Sequence, residues 1–342
     1  MSKAVDNILK LYSKLTDEQV IEFHKRFSGE PLDMEEYLTK VRFANGHVCP
    51  FCGSATVVKN GKRPDGMQRY RCKDCGKSFN IRSNSIVARC HKDMDTWSSF
   101  IECMMNGLSI RKTAEICGIN KNTAFLWRHK VLDILRNMMT DVVLDGIVEA
   151  DETYFPVSYK GNHKNSKTFK MPRKARHRGK SIRKRGISKE QVCVPCAVNR
   201  TGLSIAQVAN LGHITIDELH SIFDSKISDT AELCTDKMTS YKAFAKEKGI
   251  NLHQFKATER SNGIYGIQHI NNYHSVLKHF MGNFRGVSSK YLNNYLVWHN
   301  FVNYAGETYT EKKAIMLRYC LAYPQEIMGA TVRDRVSVPI VT

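Results

Sequence analysis

Apolar residues recur at helical spacing near the start of the chain, at Val5, Ile8, Leu9, Tyr12 and Leu15, which predicts a first helix. Thr16 with Gln19 has the capping-box spacing for a second helix ending near Gly29, and Asp33 with Glu36 opens a short third. From Thr96 to about Met139 the helical period returns, with Trp97, Phe100, Ile101 and Met104 on one face. Beyond Gly146 the pattern changes. Residues 147–150 read as a short apolar strand that ends in the carboxylate pair Asp151-Glu152. Residues 191–199 and 204–211 form a hairpin about Arg200-Thr201-Gly202. Thr215 with Glu218 caps a helix to about Ile227, and residues 231–235 make a strand that ends in Asp236. A helix over 240–248 with Gly249 at its C-cap, a strand over 250–255 and a helix over about 268–280 complete the series. From Ile147 the order is β-β-β-α-β-α-β-α.

The cysteines change the picture between the helical segments. Cys49-Pro50-Phe51-Cys52-Gly53 and Cys72-Lys73-Asp74-Cys75-Gly76 are two Cys-x-x-Cys knuckles, each followed by glycine, and four thiolates complete a closed tetrahedral zinc site. Such a site keeps no open position for substrate, so its role is structural. Lys59, Lys62, Arg63, Arg69 and Arg71 line the hairpin expected between the knuckles, turning at Pro64-Asp65-Gly66. Cys193 and Cys196 have no second pair and read as core thiols.

Within the helical stretch, residues 108–128 have the pattern of a helix-turn-helix. Small Ala114 permits close packing, Gly118 makes the turn, and Ile119, Ala124 and Trp127 cover the core. Its second helix is expected to present Lys121, Asn122, Thr123 and Arg128 to a major groove. A plain helical hairpin is the competing reading.

The net charge is +19, from 52 Lys plus Arg against 33 Asp plus Glu, which points to a polyanionic partner. The charge is clustered: residues 160–189 hold thirteen Lys or Arg and no acid, among them Arg173, Lys174, Arg176, Arg178, Arg183, Lys184 and Arg185. That stretch reads as a basic loop inserted between two strands, a clamp for DNA phosphates. Neither a membrane span nor a signal peptide is expected. Eleven cysteines without a secretory signal argue for metal ligation and core thiols in a reducing cytoplasm rather than for disulfides.

The element order from Ile147 is that of a ribonuclease-H-like mixed sheet, in which the first and fourth strands adjoin, so Asp151 and Asp236 are expected to meet. A third ligand is expected on the last helix, where Asn271 stands, with Lys278 two turns further along the same face. Oxygen ligands so arranged suit two magnesium or manganese ions about 3.5–4 Å apart. His274 and Glu259 are rival third ligands, and Glu152, on the opposite strand face, reads as structural or exposed.

These motifs together resemble the ISXO-like insertion-sequence transposases, which join a zinc ribbon and a helix-turn-helix to a DDE-type domain. The resemblance rests on the two Cys knuckles, on Ala150-Asp151-Glu152-Thr153-Tyr154 and on Thr235-Asp236 with Tyr241. It is completed by Asn271-Asn272-Tyr273-His274-Ser275 with Lys278, and by Gly286-Val287-Ser288-Ser289-Lys290-Tyr291-Leu292 with Tyr295-Leu296. It covers roughly residues 45–305. It implies binding of terminal inverted repeats by the ribbon and the helix-turn-helix, metal-dependent 3′-end cleavage at Asp151 and Asp236, and strand transfer into target DNA. It also implies a phosphate contact at Lys278 and a homodimer or larger assembly on double-stranded DNA, in the cytoplasm and associated with the nucleoid. Most DDE enzymes carry Glu at the third position; the Asn271 found here matches a variant of the triad within the family. The alternatives are a non-catalytic DNA-binding regulator of the same descent and a nuclease or resolvase of the same fold.

The expected organisation is a helical segment over 1–44, a zinc ribbon over 45–82 and a helix-turn-helix region over 83–140. A ribonuclease-H-like domain over 141–305, with the basic insertion 160–189, and a tail over 306–342 follow.

Overall fold

The computed structural model describes residues 34–44, 46–161, 170–171, 186–256, 258, 261–304 and 308–338. The first two expected helices, Glu259 and the insertion's Arg173, Lys174, Arg176, Arg178, Arg183, Lys184 and Arg185 lie outside the described residues.

Two compact units emerge, and neither is contiguous in sequence. One comprises 1–106 with 307–326, the other 107–306 with 327–342. The boundary between the units falls after Asn106, within the expected helix-turn-helix region 83–140, and the expected tail 306–342 is divided between them. Packing explains this. Helix α1 (Met34–Arg42), helix α2 (Met94–Met105) and a late helix over Tyr309–Ala322 pack together in the first unit. The face of α2 made by Trp97, Phe100, Ile101 and Met104 is fully buried. The Thr308 hydroxyl and Glu311 carboxylate cap the late helix reciprocally.

The same unit contains the ribbon, with β1 (Val57–Lys62), β2 (Gln68–Cys72) and β3 (Ser78–Phe79) antiparallel in that order. Its core is small: Cys49, Tyr70, Cys72 and Phe79, with Phe43 edge-on to Tyr70.

In the second unit α3 (Ile110–Ile116) and α4 (Lys121–Met139) are joined by a turn through Gly118, whose φ of 57° is left-handed, a region open to glycine at no steric cost. The Ser109 hydroxyl caps α3, and Asn120 caps α4 by accepting the N–H of Asn122 at 2.8 Å.

The sheet that follows holds β4 (Ile147–Pro156), β5 (Gln191–Asn199), β6 (Ser204–Ala206), β7 (Glu232–Asp236) and β8 (Asn251–Phe255). Its spatial order is β6-β5-β4-β7-β8; β4 is antiparallel to β5 and parallel to β7, which is parallel to β8. Helices α5 (Ile216–Phe223) and α6 (Thr239–Lys248) pack through Leu219, Ile222, Phe223, Tyr241 and Phe244 onto one face, where Val148 and Ala150 meet them. A two-stranded ribbon, β9 (Ser261–Asn262) with β10 (Tyr265–Gly266), leads into α7 (Gln268–Gly282) on the other face, followed by α8 (Leu292–Tyr304). The Thr215–Glu218 capping box and the left-handed Gly249 C-cap are both as expected.

Asp151 is not at the end of a short strand but within a ten-residue one, because antiparallel pairing to β5 continues from Val148↔Asn199 to Pro156↔Gln191. The pairing of β4 with β7 is what stops early, at Glu149↔Cys234. No helix among the described residues is long and apolar enough to cross a membrane.

Candidate active site and nucleic-acid interface

Side chains alternate along β4, so Glu149 and Asp151 face α7 while Val148 and Ala150 face α5 and α6. The β4–β7 register carried on by two residues sets Asp151 level with Asp236, the last residue of β7. Asp236 turns the chain there, its Oδ1 accepting the N–H of Met238 at 3.1 Å. Oδ1 of Asp151 accepts the N–H of Glu152 at 2.8 Å, and its Oδ2 lies 3.7 Å from Nδ1 of His274 on α7.

Burial, then the charge of Asp236, raises the Asp151 carboxyl to about 6, against the lowering pull of the Glu152 N–H and of Lys278. Glu152 is raised to about 7, again chiefly by burial, with Tyr241 as a lowering neighbour and the two aspartates adding repulsion. His274 is lowered to about 4 by burial and by Lys278, so its ring is neutral at pH 7. Its Nε2 is buried and has no hydrogen-bond partner among the described residues.

Asn271, His274 and Lys278 are spaced three and four residues apart and so share a helix face. They differ in engagement. His274 is 8% exposed and stands against Asp151, whereas Asn271 is exposed and its Nδ2 donates to the carbonyl of Ile267 at 2.8 Å. Lys278 is exposed, and its charge reaches Asp151.

The donor set fits a hard divalent cation. Two carboxylates are held together, one with its pKa raised by burial and by its neighbour's charge, and a neutral buried imidazole has a free ring nitrogen.

Sequence reasoning missed Glu149. It is 1% exposed, with Oε2 accepting the N–H of Ile270 at 3.0 Å, and Oε1 lying 2.9 Å from both Arg200 and His269 Nδ1. The signal was present as a lone acid inside the apolar run Ile147-Val148-Glu149-Ala150.

At the basic surface, Lys121 and Asn122 are exposed at the start of α4 and Thr123 is half-buried. Arg128 is corrected. It is fully buried, donates to the carbonyl of Leu108 at 2.6 Å and lies over the Trp298 ring, so it is closed to a DNA groove. Beside Lys121 runs a groove of about 1770 Å³ whose walls include Arg111, Lys160, Arg285 and Arg333. Lys160 Nζ donates to the carbonyl of Gly286 at 3.0 Å and so holds the loop that displays Arg285.

In the ribbon the four thiol sulfurs lie within 4.8 Å of one another, with Cys49–Cys75 at 3.7 Å and Cys52–Cys72 at 3.6 Å. A zinc tetrahedron with Zn–S bonds of about 2.3 Å has edges of about 3.8 Å, so the cluster matches the ion. Backbone N–H groups, first that of Cys75, lower the Cys72 thiol to about 6 and favour the thiolate. Cys193 and Cys196 are buried in β5, as expected of core thiols.

A mixed sheet in this order, with aspartates level on its adjoining first and fourth strands, is the ribonuclease-H-like fold. The chain matches the ISXO2-like transposase domain over residues 143–301 and the transposase zinc-ribbon domain over residues 33–78. Residues 143–301 are thus an ISXO2-like transposase domain and residues 33–78 a transposase zinc ribbon. A curated relative, 22% identical over 263 residues that span 76% of this chain and 86% of the relative, is an uncharacterized protein in transposable element ISH50 of Halobacterium salinarum. A crystal structure of a pre-cleavage Mos1 transpososome matches at 9% identity, covering 68% of this chain and 79% of that one. Its TM-score of 0.21 is too low to bear on the fold.

Proposed function

We propose that this transposase binds the terminal inverted repeats of its element, cuts their 3′ ends and joins them to target DNA. The observation that supports this best is the level placement of Asp151 and Asp236 on adjoining strands beneath α7.

Asp151 and Asp236 would hold two magnesium or manganese ions, with Asn271 and His274 as neutral candidates for the third position. Bound there, the ions supply Lewis acidity and lower the pKa of an attacking hydroxyl. Lys278 sits on the same helix face to hold a phosphate oxygen beside the scissile bond. In the first step water attacks phosphorus and the P–O3′ bond breaks, freeing a 3′-hydroxyl. In the second, that hydroxyl attacks a target phosphodiester, forming one P–O bond and breaking another. Glu152, whose carboxyl is raised to about 7, is the group here able to exchange a proton near neutrality, whereas His274, lowered to about 4, stays neutral there.

Lys121, Asn122 and Thr123 would read the repeats with the ribbon, and the insertion between β4 and β5, including Arg173, Lys174, Arg176, Arg178, Arg183, Lys184 and Arg185, would clamp the phosphate backbone. Two copies would pair two ends.

The test is a cleavage-and-joining assay on supercoiled plasmid carrying the flanking genomic ends, with manganese, comparing wild type with Asp236→Ala. Metal-dependent 3′ cuts and joined products, lost in the variant, are expected. Tight end binding without cutting in either protein would favour a DNA-binding regulator instead.

A further inference from the structure

We infer that Glu149 is a positioning residue that sets the register of α7 against β4, and through it the placement of the side chains opposite Asp151. The metal-facing part of this rests on the transposase reading; the register does not.

The geometry is a two-rung ladder. On the lower rung Glu149 Oε2 accepts the N–H of Ile270, in the first turn of α7. On the upper rung Asp151 Oδ2 faces His274. Two residues of strand advance about 6.6 Å and four residues of helix about 6 Å, so the rungs match in rise. Fixing Ile270 on Glu149 therefore fixes His274 at Asp151, and Asn271 and Lys278 with it. A one-residue slip of the helix would rotate this face by about 100° and carry all three away from the sheet.

The lower rung is built to hold. Ile270 stands where a helix has no internal partner for its N–H, and a carboxylate there also meets the positive end of the helix. The carboxylate is 1% exposed, and its other oxygen is matched by Arg200 from the β5–β6 turn and by His269. Arg200 in turn donates to the carbonyl of Ile264 at 3.0 Å, which ties the lead-in ribbon to the same point. Nothing in this cluster touches the candidate metal set directly. It acts through the helix.

The experiment compares Glu149→Ala and Glu149→Gln in the full chain. Amide hydrogen exchange without metal reads the register itself. Faster exchange over residues 268–274 in Glu149→Ala, with the β4–β5 pair unchanged, is expected; exchange there equal to wild type overturns the inference whatever the metal does. Manganese affinity of the same proteins reads the consequence. It should weaken about 10–100-fold in Glu149→Ala, as for other supporting partners of metal ligands, and recover in part in Glu149→Gln, which keeps an acceptor for Ile270. The loss should shrink when Asn271 and His274 are already alanine, because an effect carried by α7 has then nothing left to misplace. Equal losses in both backgrounds overturn the positioning role. Should Glu149→Ala fail to fold, Arg200→Ala and His269→Ala remove the partners from the more exposed side and are read in the same way. Wild-type protein that binds no manganese but shows the exchange result would sink the metal reading and leave the register standing.

Discussion

The Arg128 guanidinium lies 4.8 Å from the centre of the Trp298 ring, stacked over a residue of α8. It is also within 5.8 Å of the Phe284 ring and donates to the carbonyl of Leu108. A cation so enclosed supports the packing of α3 and α4 rather than DNA contact. Arg128→Ala should cost about 3 kcal/mol of stability, from a desolvated cation–π contact and a charge-assisted hydrogen bond. Chemical denaturation measures the loss. DNA affinity per folded molecule should be unchanged.

Lys121 and Arg285, by contrast, face solvent along the groove. Each alanine variant should lower DNA affinity across all sequences and reduce the slope of log affinity against log salt by about 1. Binding titrations at several salt concentrations give the slope. An unchanged slope in both would exclude the groove as a phosphate contact.

The raised Asp151 and Glu152 carboxyls fix the sign of two pH effects. Both folded-state values, about 6 and about 7, lie above the ordinary carboxylate range. The metal-free folded protein therefore binds more protons than the unfolded chain, and these two groups add stability as pH falls from 7 towards 5. Asp151→Asn should accordingly stabilise metal-free protein at pH 7.5, with the gain shrinking at pH 5, as thermal unfolding in chelator would show. Manganese must displace those protons, so its affinity should fall as pH drops below about 7.

As the proposed third ligand, Asn271 would bring only an uncharged oxygen. Asn271→Asp adds a charge to the ligand set and should tighten manganese binding by about tenfold. His274→Ala should weaken it. Calorimetric titration of both variants ranks the two residues. A null effect in both would move the third ligand elsewhere.

Cys72→Ser breaks the tetrahedral thiol set. Zinc should be lost from the protein, measured by atomic emission, and the ribbon should unfold, since its own core is four buried residues. End binding should weaken with it.

Much of the catalytic fold could be read in advance because local signals and fold rules agreed. Alternating apolar strands, the Thr215–Glu218 box and the Gly249 cap set the elements, and the parallel β4–β7 pairing then brings Asp151 to Asp236. The residues that escaped depend on distant partners. Arg128 occupies a helix position that looks solvent-facing until Trp298 covers it. Glu149 looks like an anomaly in a buried strand until Arg200 and the α7 amide reach it. The role of the tail is equally non-local: Arg335 forms an ion pair with Asp133 on α4, and Lys290 donates to the carbonyl of Arg333 at 3.2 Å. No local period announces such returns.

The interleaving of the two units also has a consequence for synthesis. The apolar face of α2 emerges from the ribosome long before the helix over Tyr309–Ala322 that covers it, and α4 waits longer still for Arg335. Neither unit closes until nearly the whole chain has been made. A message interrupted before residue 309 would therefore yield not a free first unit but a sticky, unfinished one, and an incomplete copy of the gene would be silenced by folding alone.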